Sequence, residues 1–153
     1  MSTPPLPSGL DDLPVNGAAN RLHSAAIHLL RHARVADSDT GLTPERLSLM
    51  SVLVYSGPQT ITGLARIEMV SVPAITRSVN ALAADGFAQR SPSRSDRRSV
   101  VVTATARGLR IMEKGRRGRL SRIAALLDQL SPNEMQQVNR ASHILEQLLD
   151  RQT

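Results

Sequence analysis

The sequence predicts a mainly α-helical chain carrying one small β-hairpin. Leucine and alanine, 20 and 17 of the 153 residues, supply most of the apolar content, and both favour helices. Apolar residues recur at helical spacing along most of the chain. Short β-branched runs replace that spacing only between Phe87 and Ala104. A chain of this length buries roughly two-thirds of its unfolded surface, enough for a core without cross-links.

Residues 1–17 are Pro-rich and lack the basic and apolar regions of a signal peptide, so they read as a disordered tail. From Ala18 to about Ala36, Leu22, Ala25, Ala26, Leu29, Ala33 and Ala36 keep a helical period, widened by Ile27 and Leu30. Asp37 to Gly41 breaks this helix. A second opens with Thr43 as N-cap and Pro44 at its first position, with Leu42 and Leu47 placed as a staple across the cap. Ser56-Gly57-Pro58 stops it. A short helix follows from Ile61 to Ile67 behind Thr60, and another opens at Ser71 and ends at Asp85-Gly86. Strands are expected at Phe87–Arg90 and Arg98–Ala104, joined by a polar loop. Thr105 caps a long helix to about Leu130, where Gly108, Gly115 and Gly118 are expected to bend or fray it. Ser131-Pro132-Asn133-Glu134 is a capping box for a last helix, whose stripe is Met135, Val138, Ala141, Leu145, Leu148 and Leu149.

Composition removes several functions. With no cysteine, disulfide scaffolds, thiolate catalysis, Cys-ligated zinc and thiol redox sensing are excluded. Tyr55 and Phe87 are the only aromatic residues, too few for the base-stacking readers of single-stranded RNA. No stretch approaches the ~18 uninterrupted apolar residues of a membrane span, so no membrane partner and a cytoplasmic location are expected. No Ser/His/Asp order, phosphate loop or carboxylate pair stands out, and the expectation is a non-enzyme without cofactor.

The net charge of +6 is unevenly placed. Residues 90–122 hold 11 Lys/Arg against Asp96 and Glu113, while the rest of the chain is net acidic. A positive field confined to one segment is the footprint of a polyanion partner. On a wheel of about 100° per residue, Val72, Ile75, Val79 and Leu82 fall on the core-facing side of the Ser71–Asp85 helix. Arg77 lies opposite, with Pro73, Asn80 and Ala84 nearest and Ala74 and Thr76 flanking. Arginine and asparagine are the side chains that pair bidentately with guanine and adenine. Arg94, Arg97 and Arg98 crowd a hairpin loop that no core requires, a placement suited to a minor groove. Asp96 among them weakens phosphate attraction, and is read as holding an arginine in register.

Two short helices, then a basic-tipped hairpin, give the order of a winged helix-turn-helix flanked by N- and C-terminal helices. The stretch from Gly57 to Gly108 resembles the MarR family of bacterial transcriptional regulators. The residues that carry the likeness are Leu64-Ala65, Val70-Ser71-Val72-Pro73-Ala74-Ile75-Thr76-Arg77, Leu82 with Asp85-Gly86-Phe87, the wing tip Asp96-Arg97-Arg98, and Val101 to Gly108. The likeness implies a homodimer whose terminal helices interlock while each wing motif reads one half of an operator. It makes Asp96 and Arg98 a wing pair and puts Ser71, Pro73, Ala74, Thr76 and Arg77 at major-groove positions. It also implies a small organic effector held between wing motif and dimer helices. Met69 stands where the family's turn has glycine, so another backbone conformation is expected there.

The reading is a repressor-type regulator that binds double-stranded DNA at a pseudo-palindromic site. Its parts are the tail 1–17, a dimerisation helix and loop 18–42, the DNA-binding domain 43–104 and C-terminal linker and dimerisation helices 105–153. Leu22, Leu29, Val138, Leu145, Leu148 and Leu149 are the expected dimer contacts, because such stripes exceed what the wing motif can bury. Two alternatives stand beside it. One is a winged-helix module that binds protein. The other is a metal-sensing regulator using His28 and His32, which have the i, i+4 spacing of a ligand pair but no third ligand nearby, so no metal is expected. Met50, Met69, Met112 and Met135 read as core or groove fillers.

Overall fold

A computed structural model describes residues 3–93 and 99–151. The order of elements is α1 (Pro14–Arg34), a 3-10 segment (Val35–Thr40), α2 (Pro44–Tyr55), β1 (Gln59–Thr60), α3 (Ile61–Ile67), α4 (Val72–Ala84), β2 (Ala88–Pro92), β3 (Val100–Ala104), α5 (Ala106–Leu127) and α6 (Pro132–Asp150). The mainly helical chain with a small antiparallel sheet is the predicted fold class. It divides into two units, Arg34–Arg119 and Met1–Ala33 with Leu120–Thr153.

In the first unit α2 and α3 start at the predicted threonine caps. Thr43 Oγ1 accepts from Arg46 N at 3.4 Å, and Thr60 Oγ1 accepts from Gly63 N at 3.0 Å. The sheet runs β1-β3-β2, all antiparallel. Ala88 pairs with Ala104 and Pro92 with Val100, while Gln59 and Thr60 pair with Val102 and Val101. The two-residue β1 was not predicted, since too few residues carry it for any alternation to show. Leu49, Met50 and Leu53 of α2, Leu64 and Ala65 of α3, Ile75, Val79 and Leu82 of α4, and Ala88, Val102 and Met112 form one core. Each large side chain buried there contributes roughly 1.5–3 kcal/mol.

Two expectations are corrected here. Val72 does not seal the core: it is 43% exposed, and only Ile75, Val79 and Leu82 are buried on α4. Helical side chains lean toward the N-terminus, so a residue at the first helical position overhangs the preceding turn rather than the core. The glycines of α5 do not fray it, for the helix is continuous from Ala106 to Leu127. They are points of close approach. A Cβ on Gly108 would collide with the Phe87 carbonyl oxygen and stand 2.7 Å from Met50 Cε. On Gly115 it would meet Thr40 Cγ2 at 2.9 Å, and on Gly118 Ala36 Cβ at 3.0 Å. Around them Arg119 pairs with Asp37 and Lys114 Nζ donates to the Asp39 carbonyl at 2.8 Å.

In the second unit α1 starts at Pro14, ahead of the expected Ala18, so the segment before the first helix is shorter than the expected 1–17. Asn20 Nδ2 donates to the Pro4 carbonyl at 2.8 Å, and Arg122 Nε to that of His32 at 3.2 Å. Ala33 is the one buried residue of α1, and α6 has none. Leu22, Leu29, Leu148 and Leu149 are exposed, and Val138 and Leu145 are half-buried. The capping box of α6 is complete: Ser131 Oγ accepts from Glu134 N, and the Glu134 carboxylate accepts from Ser131 N at 2.8 Å. The Ser131 hydroxyl, with its backbone N–H, holds the Glu134 carboxyl below the usual carboxylate range. Among the described residues no helix is long and apolar enough to cross a membrane.

Candidate nucleic-acid interface

The site is built on α3, the turn after it, α4 and the hairpin β2–β3. Helix α3 ends in a tight cap: Met69 N donates to the Arg66 carbonyl at 3.3 Å and Val70 N to that of Ala65 at 3.0 Å. This pair of bonds requires a left-handed residue between helix and exit. Met69 supplies it, with φ +54°. The expectation of another conformation is therefore corrected: the hydrogen bonds set the backbone, and methionine accepts the strain that glycine would avoid. Met69 is also 90% exposed, so it fills neither core nor groove. Met50 and Met112 are buried as expected.

Helix α4 leaves that turn with Ser71 at its N-cap and Pro73 in its first turn. Ser71 makes no side-chain cap bond. Burial of Ile75, Val79 and Leu82 turns the opposite side outward, and there Pro73, Arg77, Asn80 and Ala84 are exposed together. Ala74 and Thr76 are half-buried, and the Thr76 hydroxyl donates to the Val72 carbonyl at 2.8 Å. The far end of α4 closes like α3, with Gly86 at φ +74° and Phe87 N donating to the Leu82 carbonyl at 2.8 Å. Arg46 of α2 pairs with Asp85 there at 3.1 Å.

The hairpin then returns alongside α4. Thr105 N donates to the Phe87 carbonyl at 3.0 Å, and Thr105 Oγ1 donates to that of Gly86 at 2.6 Å while accepting from Gly108 N at 3.1 Å. Those bonds fasten the root of the wing to α5. At the outer end Ser93 N donates to the Ser99 carbonyl at 2.9 Å. Arg94, Asp96, Arg97 and Arg98, the wing residues named from sequence, lie outside the described residues. One wing residue was missed. Arg90, exposed on β2, donates from Nη1 to Asn80 Oδ1 at 2.5 Å and so joins wing to helix. Its only mark in the sequence is that it opens the basic segment.

His28 and His32 are half-buried on α1, and His23 is exposed. Among the described residues no three histidine or acidic side chains gather as a metal site would need. The arrangement at α4 is an exposed helix face carrying Arg77 and Asn80 and flanked by a hairpin, which suits docking into a groove rather than enclosing a reactant.

Known proteins share this arrangement. A solved transcriptional regulator of Thermotoga maritima superposes with a TM-score of 0.81 at 22% identity, over 89% of this chain and 96% of that one. MepR of S. aureus, solved as a mutant bound to an oligodeoxyribonucleotide, has a TM-score of 0.66 at 17% identity, over 86% and 97%. At such identities the likeness is one of fold. In sequence, an HTH-type transcriptional regulator of Mycobacterium tuberculosis is 30% identical over 132 residues, covering 86% of this chain and 92% of the relative. The MarR family model matches residues 42–100, which hold α2 to α4 and the first part of the hairpin. The chain belongs to the MarR family.

Proposed function

We propose that this MarR family member is a transcriptional regulator of the repressor type that binds double-stranded DNA as a homodimer. What carries the reading is the outward face of α4, where Arg77 and Asn80 stand exposed beside a hairpin at the start of the basic segment. In this reading α4 enters the major groove. Ser71, Pro73, Ala74, Thr76, Arg77 and Asn80 line the approach, Arg94, Arg97 and Arg98 serve the minor groove, and Asp96 holds an arginine of the wing in register. Residues 43–104 form the DNA-binding domain, and 18–42 with 105–153 supply the dimer. Two copies related by a two-fold axis then meet operator halves about 34–36 Å apart, so the operator is a pseudo-palindrome. MepR, seen with an oligodeoxyribonucleotide, supports a DNA partner for this fold. Release by a small organic effector belongs to the reading through the family alone.

The test compares Arg77→Ala with Arg94→Ala on a selected operator and on random duplex, at two salt concentrations. Arg77→Ala is expected to lose ~1–3 kcal/mol on the operator and to relax preference at one base pair per half-site. Arg94→Ala weakens both duplexes alike and reduces the salt slope by about one unit per site. Equal loss of specificity in both variants removes the helix as the reading element.

A further inference from the structure

Asn80 and Arg90 sit on different elements and are both exposed, so the core requires neither. The bond between them nevertheless decides what Asn80 can say to a base. A carboxamide has an acceptor end and a donor end, whereas arginine carries donors only. Donation from Arg90 Nη1 therefore fixes the amide: Oδ1 faces the wing strand, and Nδ2 with its two N–H groups is the other end. Among the described residues Nδ2 makes no hydrogen bond.

Adenine readout by asparagine uses both ends at once, Oδ1 accepting from N6 and Nδ2 donating to N7. Oδ1 keeps a second lone pair, but the guanidinium on the first sets positive charge beside it, against the approach of the adenine amino group. Guanine offers acceptors at both N7 and O6, and thymine offers O4. A fixed Nδ2 donor suits these bases.

We propose that Arg90 is a specificity-determining positioning residue, holding Asn80 as a hydrogen-bond donor so that α4 reads guanine or thymine, not adenine, at the base pair facing Asn80. This rests on the reading of α4 as the groove-entering helix. A purely electrostatic Arg90 would strengthen every duplex equally and leave base preference untouched. The positioning role moves preference.

Full-length wild type, Asn80→Ala and Arg90→Met are each used to select duplexes from a random pool. Asn80→Ala identifies the operator position that Asn80 reads, as the one that turns degenerate. There the wild type is expected to select guanine or thymine. Arg90→Met, which frees Oδ1, is expected to raise adenine relative to guanine by about tenfold, the scale of one good bidentate contact. An unchanged base ratio in Arg90→Met overturns the proposal. So does a wild type that already selects adenine at that position, or an Asn80→Ala pool with no degenerate position. A wild type that selects no sequence at all overturns the DNA-reading function itself, and this inference with it.

Discussion

Helix α4 buries Ile75, Val79 and Leu82 beneath it, whereas α6, with an apolar stripe at least as long, buries none of its residues. Their local chemistry runs the other way. Ser131 and Glu134 give α6 a reciprocal capping box, while Ser71 gives α4 no side-chain cap at all. A cap fixes where a helix begins and contributes about 1 kcal/mol. It does not decide whether the apolar face is covered. The core of residues 34–119 closes within one chain, whereas covering the stripe of α6 is left to the second copy in the proposed homodimer.

The contrast has three tests. The largest effect is expected inside the closed core, where Leu82→Ala removes ~2–5 kcal/mol from the unfolding free energy by leaving a cavity. Denaturant titration measures it, and an equal loss from Leu148→Ala would erase the distinction between the helices. Next comes Leu148→Arg on α6. Loss of one leucine per protomer from the proposed dimer contact, roughly 1.5–3 kcal/mol, is expected to weaken self-association by at least about tenfold. Sedimentation against concentration reads this, and an unaltered dimer would show that α6 is covered by something else. The smallest effect belongs to the turn before α4. Met69→Gly is expected to raise stability by about 0.5–1 kcal/mol, since glycine takes positive φ without strain but is more mobile when unfolded. A lower melting temperature would mean that the methionine side chain makes a contact worth more than its strain.

Much of the fold was legible because short-range chemistry encodes it. Thr43, Thr60, Ser71 and Ser131 each stand one residue before a helix, and Asp85-Gly86 closes α4 where the glycine was expected to stop it. What escaped depends on partners distant in the chain. Strand β1 exists only through Val101 and Val102, some forty residues on. Gly108, Gly115 and Gly118 looked like weak points because a sequence does not display the backbone or side chain that comes against them. At the site, the wheel placed Pro73, Arg77, Asn80 and Ala84 correctly on the outer side of α4. It could not foresee that the hairpin brings Arg90 back onto Asn80, because no helical period relates the two.

Gly108 carries a mechanical consequence. Its Cα side lies against the Phe87 carbonyl with room for no methyl group, and Phe87 is the residue from which β2 departs. Soft side chains between two elements absorb small displacements by changing rotamer, as a cushion would. Here backbone rests on backbone, and Thr105 N donates to the same carbonyl. The start of α5 and the base of the wing are therefore held at one spacing, with no side chain of Gly108 between them to take up a change.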